Sequence, residues 1–331
     1  MTRRRLDVAV ERFPLAKPFT ISRSSVTELE LVTATITEGE HVGRGECRPY
    51  PRYGETTEDV VEEILEETPL VESELDAAEQ RDDLLLFMPA GAARNALDCA
   101  LWDLEAKITG RPVHALLGLP APAPVLVTYT IGLDTPAAMA AEARAVRRPL
   151  LKLKLGGEGD LERVRAVREA VPESRLIVDA NEAWSQEMVV AWSAELETLG
   201  VELIEQPLHA ERDRALLGLA RPVPLCADES GHGIEDLDAL APLYDYVNIK
   251  LDKTGGLTAA LHLAEAAEKR GFGLMLGCMM ATSLAMAPAF VLAPRARFVD
   301  LDAPLLLARD REPKISYDGA MMQPPPRALW G

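Results

Sequence analysis

Long apolar runs are missing from this chain. No stretch approaches the roughly 20 apolar residues of a membrane span, and the basic opening MTRRRLDVAVERF passes into a strand-like alternation rather than the apolar core of a signal peptide. The expectation is a cytoplasmic protein. An excess of basic residues is missing too: 35 Lys and Arg stand against 53 Asp and Glu, for a formal charge of -18. Binding nucleic acid or anionic lipid normally relies on cations that neutralise phosphate, so neither nucleic acid nor a membrane is an expected partner. The four cysteines, Cys47, Cys99, Cys226 and Cys278, form no CxxC pair, so neither a disulfide framework nor a zinc site is indicated and buried thiols are expected.

What is present reads as one large and one small unit. At 331 residues the chain exceeds what one core usually serves, although α/β barrels run to about 250 residues as a single domain. Residues 6–13, 29–38 and 41–47 alternate apolar with polar, and Glu38-Gly39-Glu40-His41 supplies a turn, which predicts an antiparallel meander. The sequence is acidic and helical over 57–87, and its carboxylates are read as solvated helix faces rather than as a partner surface. Ala93, Leu97, Ala100, Leu101 and Leu104 recur at helical spacing before Gly110 stops that helix. The Pro-rich segment 119–126, LPAPAPVL, then marks a boundary.

Beyond it, β-rich runs alternate with Ala/Glu/Arg-rich helical segments: VLVTYT, LLKLKL, RLIVD, VELIE, VPLCA, DYVNIK, FGLMLG and RFVDL. Each run ends in a polar residue or glycine, and Lys154, Asp179, Glu205, Asp228 and Lys250 follow one another at steps of 25, 26, 23 and 22 residues. Eight βα units of this size close into an α/β barrel with its active site at the C-terminal ends of the strands. No GxGxxG follows the first strand, which argues against a doubly wound dinucleotide fold.

Asp179, Glu205 and Asp228 end the third, fourth and fifth strands. Three carboxylates on adjacent strand ends make an oxygen-rich pocket for a hard divalent cation, for which Mg2+ is the natural occupant. In Leu151-Lys152-Leu153-Lys154-Leu155 the two-residue period sends the leucines to the helices and both lysines into the barrel mouth. There, burial and neighbouring charge can lower an amine toward working pH; the alternative is that the lysines only neutralise the carboxylates. Lys250 ends the sixth strand, opposite the second in a ring of eight, so Lys154 and Lys250 would address the two faces of one acidic carbon while Lys152 adds a cation for the developing enediolate. Asp300 and Asp302, two residues apart at the eighth strand's end, are either further counter-ions or the receptors of a substrate ammonium group.

Taken together, KxK at 152–154, DAN at 179–181, EQP at 205–207, ADES at 227–230 and NIKLDKTGG at 248–256 resemble the muconate-cycloisomerase-like branch of the enolase superfamily. The Asp300-x-Asp302 pair, GECRPYPRYGE at 45–55 and PAGAARNALDCALWDL at 89–104 resemble its dipeptide epimerases. The resemblance implies a (β/α)7β barrel over 121–309 under an N-terminal α+β capping domain, residues 1–120, completed by the tail from about 310 to 331. It implies one Mg2+ per subunit on Asp179, Glu205 and Asp228. It also implies that Lys154 and Lys250 invert the α-carbon of a dipeptide's C-terminal residue, such as that of L-Ala-D/L-Glu in murein peptide metabolism. The alternatives on this scaffold are an N-acylamino acid racemase, an o-succinylbenzoate synthase and a muconate-type cycloisomerase. By the same resemblance Thr130 and Cys278 line the substrate pocket and Arg23, in the capping loop 20–26, binds a carboxylate. An acidic substrate side chain would want a basic pocket, with Arg23 and Arg48 as candidates unless each is simply a solvated loop residue. A homo-oligomer is left open.

Overall fold

The computed structural model describes residues 4–331. The alternating start forms a hairpin longer than its pattern suggests. Strand β1 (Arg5–Ile21) pairs antiparallel with β2 (Ser24–Glu38), and β3 (His41–Cys47) completes the sheet. The register slips after Pro14 and resumes from Phe19 opposite Val26 to Ile21 opposite Ser24. The expected capping loop at 20–26 is therefore a paired hairpin tip, its backbone satisfied across the ladder and Phe19 buried at its root.

The helix Ala92–Thr109 lies against this sheet. A Cβ on Gly45 would fall 2.0 Å from the Ala96 carbonyl oxygen and one on Gly43 2.2 Å from that of Ala100, so glycine is what lets strand and helix approach so closely. Val32, Ala34 and Ile36 pack with Leu97, Leu101 and Leu104, and the helices Thr57–Glu66 and Ala77–Phe87 add Val60, Ile64 and Leu84 to the same core. The glutamates Glu62, Glu63 and Glu66 stay exposed.

The run 125–130, read as one strand, divides between two sheets. β4 (Val125–Leu126) leaves the barrel, and β5 (Tyr129–Ile131) opens it. Then follow β6 (Leu150–Lys154), β7 (Arg175–Asp179), β8 (Val201–Glu205), β9 (Leu225–Ala227), β10 (Tyr246–Ile249), β11 (Gly273–Leu276) and β12 (Phe298–Val299), parallel and in sequential order. Thr128 N–H donates to Val299 O across the remaining gap. The tail strands β13 (Tyr317–Asp318) and β14 (Met321–Met322) take β4 as their third partner. Beyond them Trp330 Nε1 donates to Cys99 O, and Gly331 N–H donates to Asp103. Among the described residues no helix is long and apolar enough to cross a membrane.

Inside the barrel, Leu150, Ile177, Leu203, Cys226, Met275 and Phe298 form an apolar plug, while the leucines at 151, 153 and 155 join the core shared with the helices. Two residues beyond each plug residue the period-two rule brings the next inward side chain. These are Lys152, Asp179, Glu205, Asp228, Gly277 and Asp300. The plug is thus the floor on which the polar mouth stands.

Candidate active site

Four buried carboxylates and four lysines interlock at that level. Lys152, only 1% exposed, donates to Asp300 Oδ2 at 2.8 Å and lies 2.6 Å from Glu205 Oε2 and 3.2 Å from Asp179 Oδ2. Lys154 donates to Asp179 Oδ2 at 2.5 Å, and Lys250 to Asp228 Oδ2 at 2.7 Å. Lys253, on the turn after β10, donates to Asp228 Oδ1 and Gly231 O, each at 2.8 Å. Asn248 Nδ2 donates to Glu205 Oε1 at 2.8 Å, in space that a side chain at Gly277 would fill, since a Cβ there would sit 2.5 Å from Asn248 Oδ1. Gln206, held at φ 33°, takes the N–H groups of Asp228 and Ser230 on its Oε1 and so braces the loop that presents Asp228.

Charge balance here differs from the expectation for a reactive amine. Burial alone would lower Lys250, but Asp228 and Glu205 outweigh it and hold the ammonium well above its ordinary value. Lys152 is held up in the same way, against burial, by Asp300, Glu205 and Asp179. Glu205 is pushed up to about 7 by burial and by the neighbouring Asp179. Asp179 is held down at about 2 because Lys154 and Lys152 overcome its burial.

The three candidate metal ligands sit on adjacent strand ends, with Asp179 and Glu205 paired in register. Among the described residues no three His, Cys, Asp or Glu side chains are gathered in a form that could hold a metal ion, because each carboxylate is turned to an ammonium. The site nonetheless suits a hard cation in its donor chemistry. Buried oxygens without a hydrogen-bond partner collect around it: Asn181 Oδ1, Glu229 Oε2 and Asn248 Oδ1. Orphaned acceptors at such density are what an oxygen-seeking cation satisfies.

Asp300 and Asp302 were expected on one face. β12, however, ends at Val299, and Asp302 already begins the short helix Ala303–Leu306, so the two-residue period no longer applies. Asp300 serves Lys152 and also accepts from the Thr128 hydroxyl. Among the described residues the Asp302 side chain accepts only from Thr130, whose N–H lies 2.5 Å from Oδ2, and burial beside Asp300 pushes it up to about 7. Thr130 also points its hydroxyl at Asp300, 3.3 Å away.

A cavity of about 70 Å³ lies between barrel and hairpin. Arg23, Lys154, Asp228, Lys250 and Cys278 line it, whereas Lys152, Thr130, Asp179, Glu205, Asp300 and Asp302 lie outside its wall. The Cys278 thiol is turned to Asp300 O at 3.2 Å. The hairpin tip is fastened over the cavity: Ser22 Oγ donates to Asn181 O at 2.9 Å, and Arg23 donates to Glu229 at 2.7 Å and lies 3.6 Å from Glu182. Arg52 grips Glu182 with two hydrogen bonds of 2.8 and 2.9 Å. Lys253, Glu229 and Asn248 escaped the reading of the sequence, although Asn248 stands two residues before Lys250 and so shares its face, and Glu229 lies inside ADES.

A capped parallel barrel with lysines and carboxylates interleaved at its mouth defines a class of carbon-acid enzymes, and the comparisons make that class definite. Residues 137–327 match the enolase C-terminal domain-like family and residues 3–118 the mandelate racemase/muconate lactonizing enzyme N-terminal domain. The chain belongs to the enolase superfamily, and it is an isomerase of the racemase and epimerase kind. It is 46% identical to the L-Ala-D/L-Glu epimerase of Escherichia coli, over 95% of this chain and 98% of that one. It is 43% identical to an N-acetyl-D-glutamate racemase of a Pseudoalteromonas species, over 91% and 95%. An Agrobacterium tumefaciens enolase family member with homology to dipeptide epimerases, solved with sodium and L-Ala-L-Glu, superposes with a TM-score of 0.96 at 48% identity, covering 99% and 100% of the chains. A Methylococcus capsulatus dipeptide epimerase complexed with Mg and L-Arg-D-Lys gives 0.92 at 32% identity, covering 100% and 99%.

Proposed function

We propose that this protein is a Mg2+-dependent dipeptide epimerase that inverts the α-carbon of the C-terminal residue, with L-Ala-D/L-Glu as substrate and murein peptide metabolism as its setting. The observation that carries the reading is the cavity shared by the two amines, Lys154 from β6 and Lys250 from the end of β10, each with its own carboxylate. One lysine removes the α-proton from one face of the carbon and the other returns a proton to the opposite face. Asp179, Glu205 and Asp228 would hold the metal, which when bound supplies positive charge for the enediolate and competes with the lysines for their carboxylates. Lys152 keeps a buried positive charge beside the same carboxylates. Asp302, held by Thr130, meets the substrate ammonium, and that positive charge offsets the repulsion from Asp300. Thr130 positions both aspartates, and Cys278 contributes wall. In this reading residues 1–120 with the tail from about 310 form the cap that excludes water, and 121–309 form the catalytic barrel.

The relative that racemises N-acetyl-D-glutamate supports a second reading, in which the substrate nitrogen is acylated and Asp302 meets no ammonium. Incubation with L-Ala-L-Glu and with N-acetyl-L-glutamate in D2O and Mg2+ separates the two. Deuterium at the glutamyl α-carbon of the dipeptide is expected, and exchange confined to the N-acyl compound would replace the first reading with the second.

A further inference from the structure

The backbone behind each of the two opposed lysines is held in a different way. Lys154 is followed by a loop fastened within the barrel itself: Leu155 N–H donates to Asp179 O at 2.9 Å, and Gly156 and Gly157 N–H donate to Asp160 at 3.1 and 2.7 Å. Lys250 is followed by a tight turn, the short helix Leu251–Thr254 and then Gly255-Gly256, and its own carbonyl accepts from Lys253 and Thr254 N–H at 3.0 Å each. That turn is gripped from the cap. Three buried side chains in the first two turns of the helix Ala92–Thr109 reach it together. Arg94 donates through Nη2 to Thr254 O at 2.7 Å and through Nε to Gly255 O at 3.1 Å, while its Nη1 donates back to Met88 O at 2.8 Å. Asn95 Nδ2 donates to Asp252 Oδ1 at 3.0 Å, an oxygen that Arg48 N–H also reaches at 3.1 Å. Asp98, four residues on from Arg94 and so on the same face of the helix, accepts the Thr258 N–H at 3.0 Å and the Thr258 hydroxyl at 2.5 Å. Gly255 and Gly256 stand at φ 74° and 110°, and a Cβ on them would lie 2.4 Å from Arg94 Nε and 2.5 Å from Asp98 Oδ2, so glycine is what admits both charged side chains this close.

We infer that Arg94, supported by Asn95 and Asp98, is a positioning residue that acts on Lys250 through the turn 251–256, so that the cap sets the seat of one lysine and the barrel alone sets the seat of the other. This rests on the reading that the two lysines serve opposite faces of one carbon, and it adds that only the Lys250 face depends on the cap. A catalytic group must be held within roughly 0.5 Å of its productive place. A displacement of about 1 Å imposed from a distance can cost about 10²-fold in rate.

The experiment is the ratio of α-proton exchange from L-Ala-L-Glu to that from L-Ala-D-Glu in D2O with Mg2+, counting loss of the proton whether or not the centre inverts. Both rates come from one preparation, so the folded fraction cancels. Lys250→Ala gives the direction in which the ratio moves when the Lys250 face is impaired. Arg94→Met is expected to move the ratio by about 10- to 100-fold in that direction, and Arg94→Lys to restore part of it. Asp98→Asn is expected to move it less in the same direction, and serves if Arg94→Met does not fold. The control is Gln80→Leu, because Gln80 is fully buried in the cap and donates to Leu70 O and Val71 O at 2.7 and 3.0 Å, away from the turn; its loss is expected to leave the ratio in place. A ratio unchanged in the Arg94 and Asp98 variants, a shift in the direction of Lys154→Ala, or an equal shift in Gln80→Leu would overturn the inference. If Lys250→Ala loses exchange from both epimers equally, the opposed-lysine reading fails on its own. Backbone amide exchange over 251–258 then decides the clamp: faster in Arg94→Met but not in Gln80→Leu if the cap holds the turn, and unchanged in both if it does not.

Discussion

At the barrel mouth Lys152, Asp179, Glu205, Asp228 and Asp300 each stand two residues above a plug residue and are tied to one or more partners of opposite charge, as Lys152 is to Asp300, Glu205 and Asp179. Over the cavity, at the hairpin tip and on the turn after β3, the contacts are fewer, reach across from the capping part and lie nearer solvent, as with Arg52 on Glu182, whose side chains are 30% and 6% exposed. The mouth is therefore coupled to folding, because a buried ion deprived of its partner is expensive, whereas the contacts over the cavity are worth less, because partly exposed ion pairs are weak.

Perturbations of the two regions should diverge accordingly. Chelation with EDTA should abolish α-proton exchange and addition of Mg2+ should restore it, both read by NMR in D2O; full activity in chelator would remove the metal from the account of the mouth. Asp300→Asn should destabilise the fold by about 3 kcal/mol, the scale for breaking a buried ion pair, visible as a lower urea midpoint. Asp302→Asn should lower kcat/KM on L-Ala-L-Glu by about 10- to 100-fold through the lost charge-assisted contact, with a much smaller change on N-acetylglutamate; equal losses on both would show that Asp302 does not meet the ammonium. Arg52→Ala should cost about 1 kcal/mol or less and act mainly as a several-fold rise in KM. A loss of stability from Arg52→Ala as large as that from Asp300→Asn would erase the contrast between mouth and tip.

The same contrast governs how much could be read from the residues alone. Alternation along Leu151-Lys152-Leu153-Lys154-Leu155 reports directly which side chains face inward, and the recurrence of a polar residue at each strand end locates Asp179, Glu205, Asp228 and Lys250. Where the strand stops, the rule weakens: Asp302 lies past β12 at the start of a helical turn, so its contact with the Thr130 N–H was not legible. The tip was illegible for a different reason. Ser22-Arg23 carries no Gly, Pro or Asn to announce a tight turn, and the partners of Arg23 and Ser22 are brought in from 206 and 159 residues away. The pairing of lysines with carboxylates stood in the sequence only as an alternative, since the spacing of Lys154 and Lys250 says nothing about the carboxylate each one meets.

The central claim is that Lys154 and Lys250 serve opposite faces of one carbon. It is tested most directly by giving L-Ala-L-Glu and L-Ala-D-Glu separately to Lys154→Ala and Lys250→Ala in D2O with Mg2+, and following the glutamyl α-proton by NMR. Each variant is expected to lose exchange from one enantiomer by about 10³-fold or more, within the range of general acid–base catalysis, while keeping it for the other, with opposite preferences in the two variants. Equal loss from both enantiomers in either variant would contradict the claim.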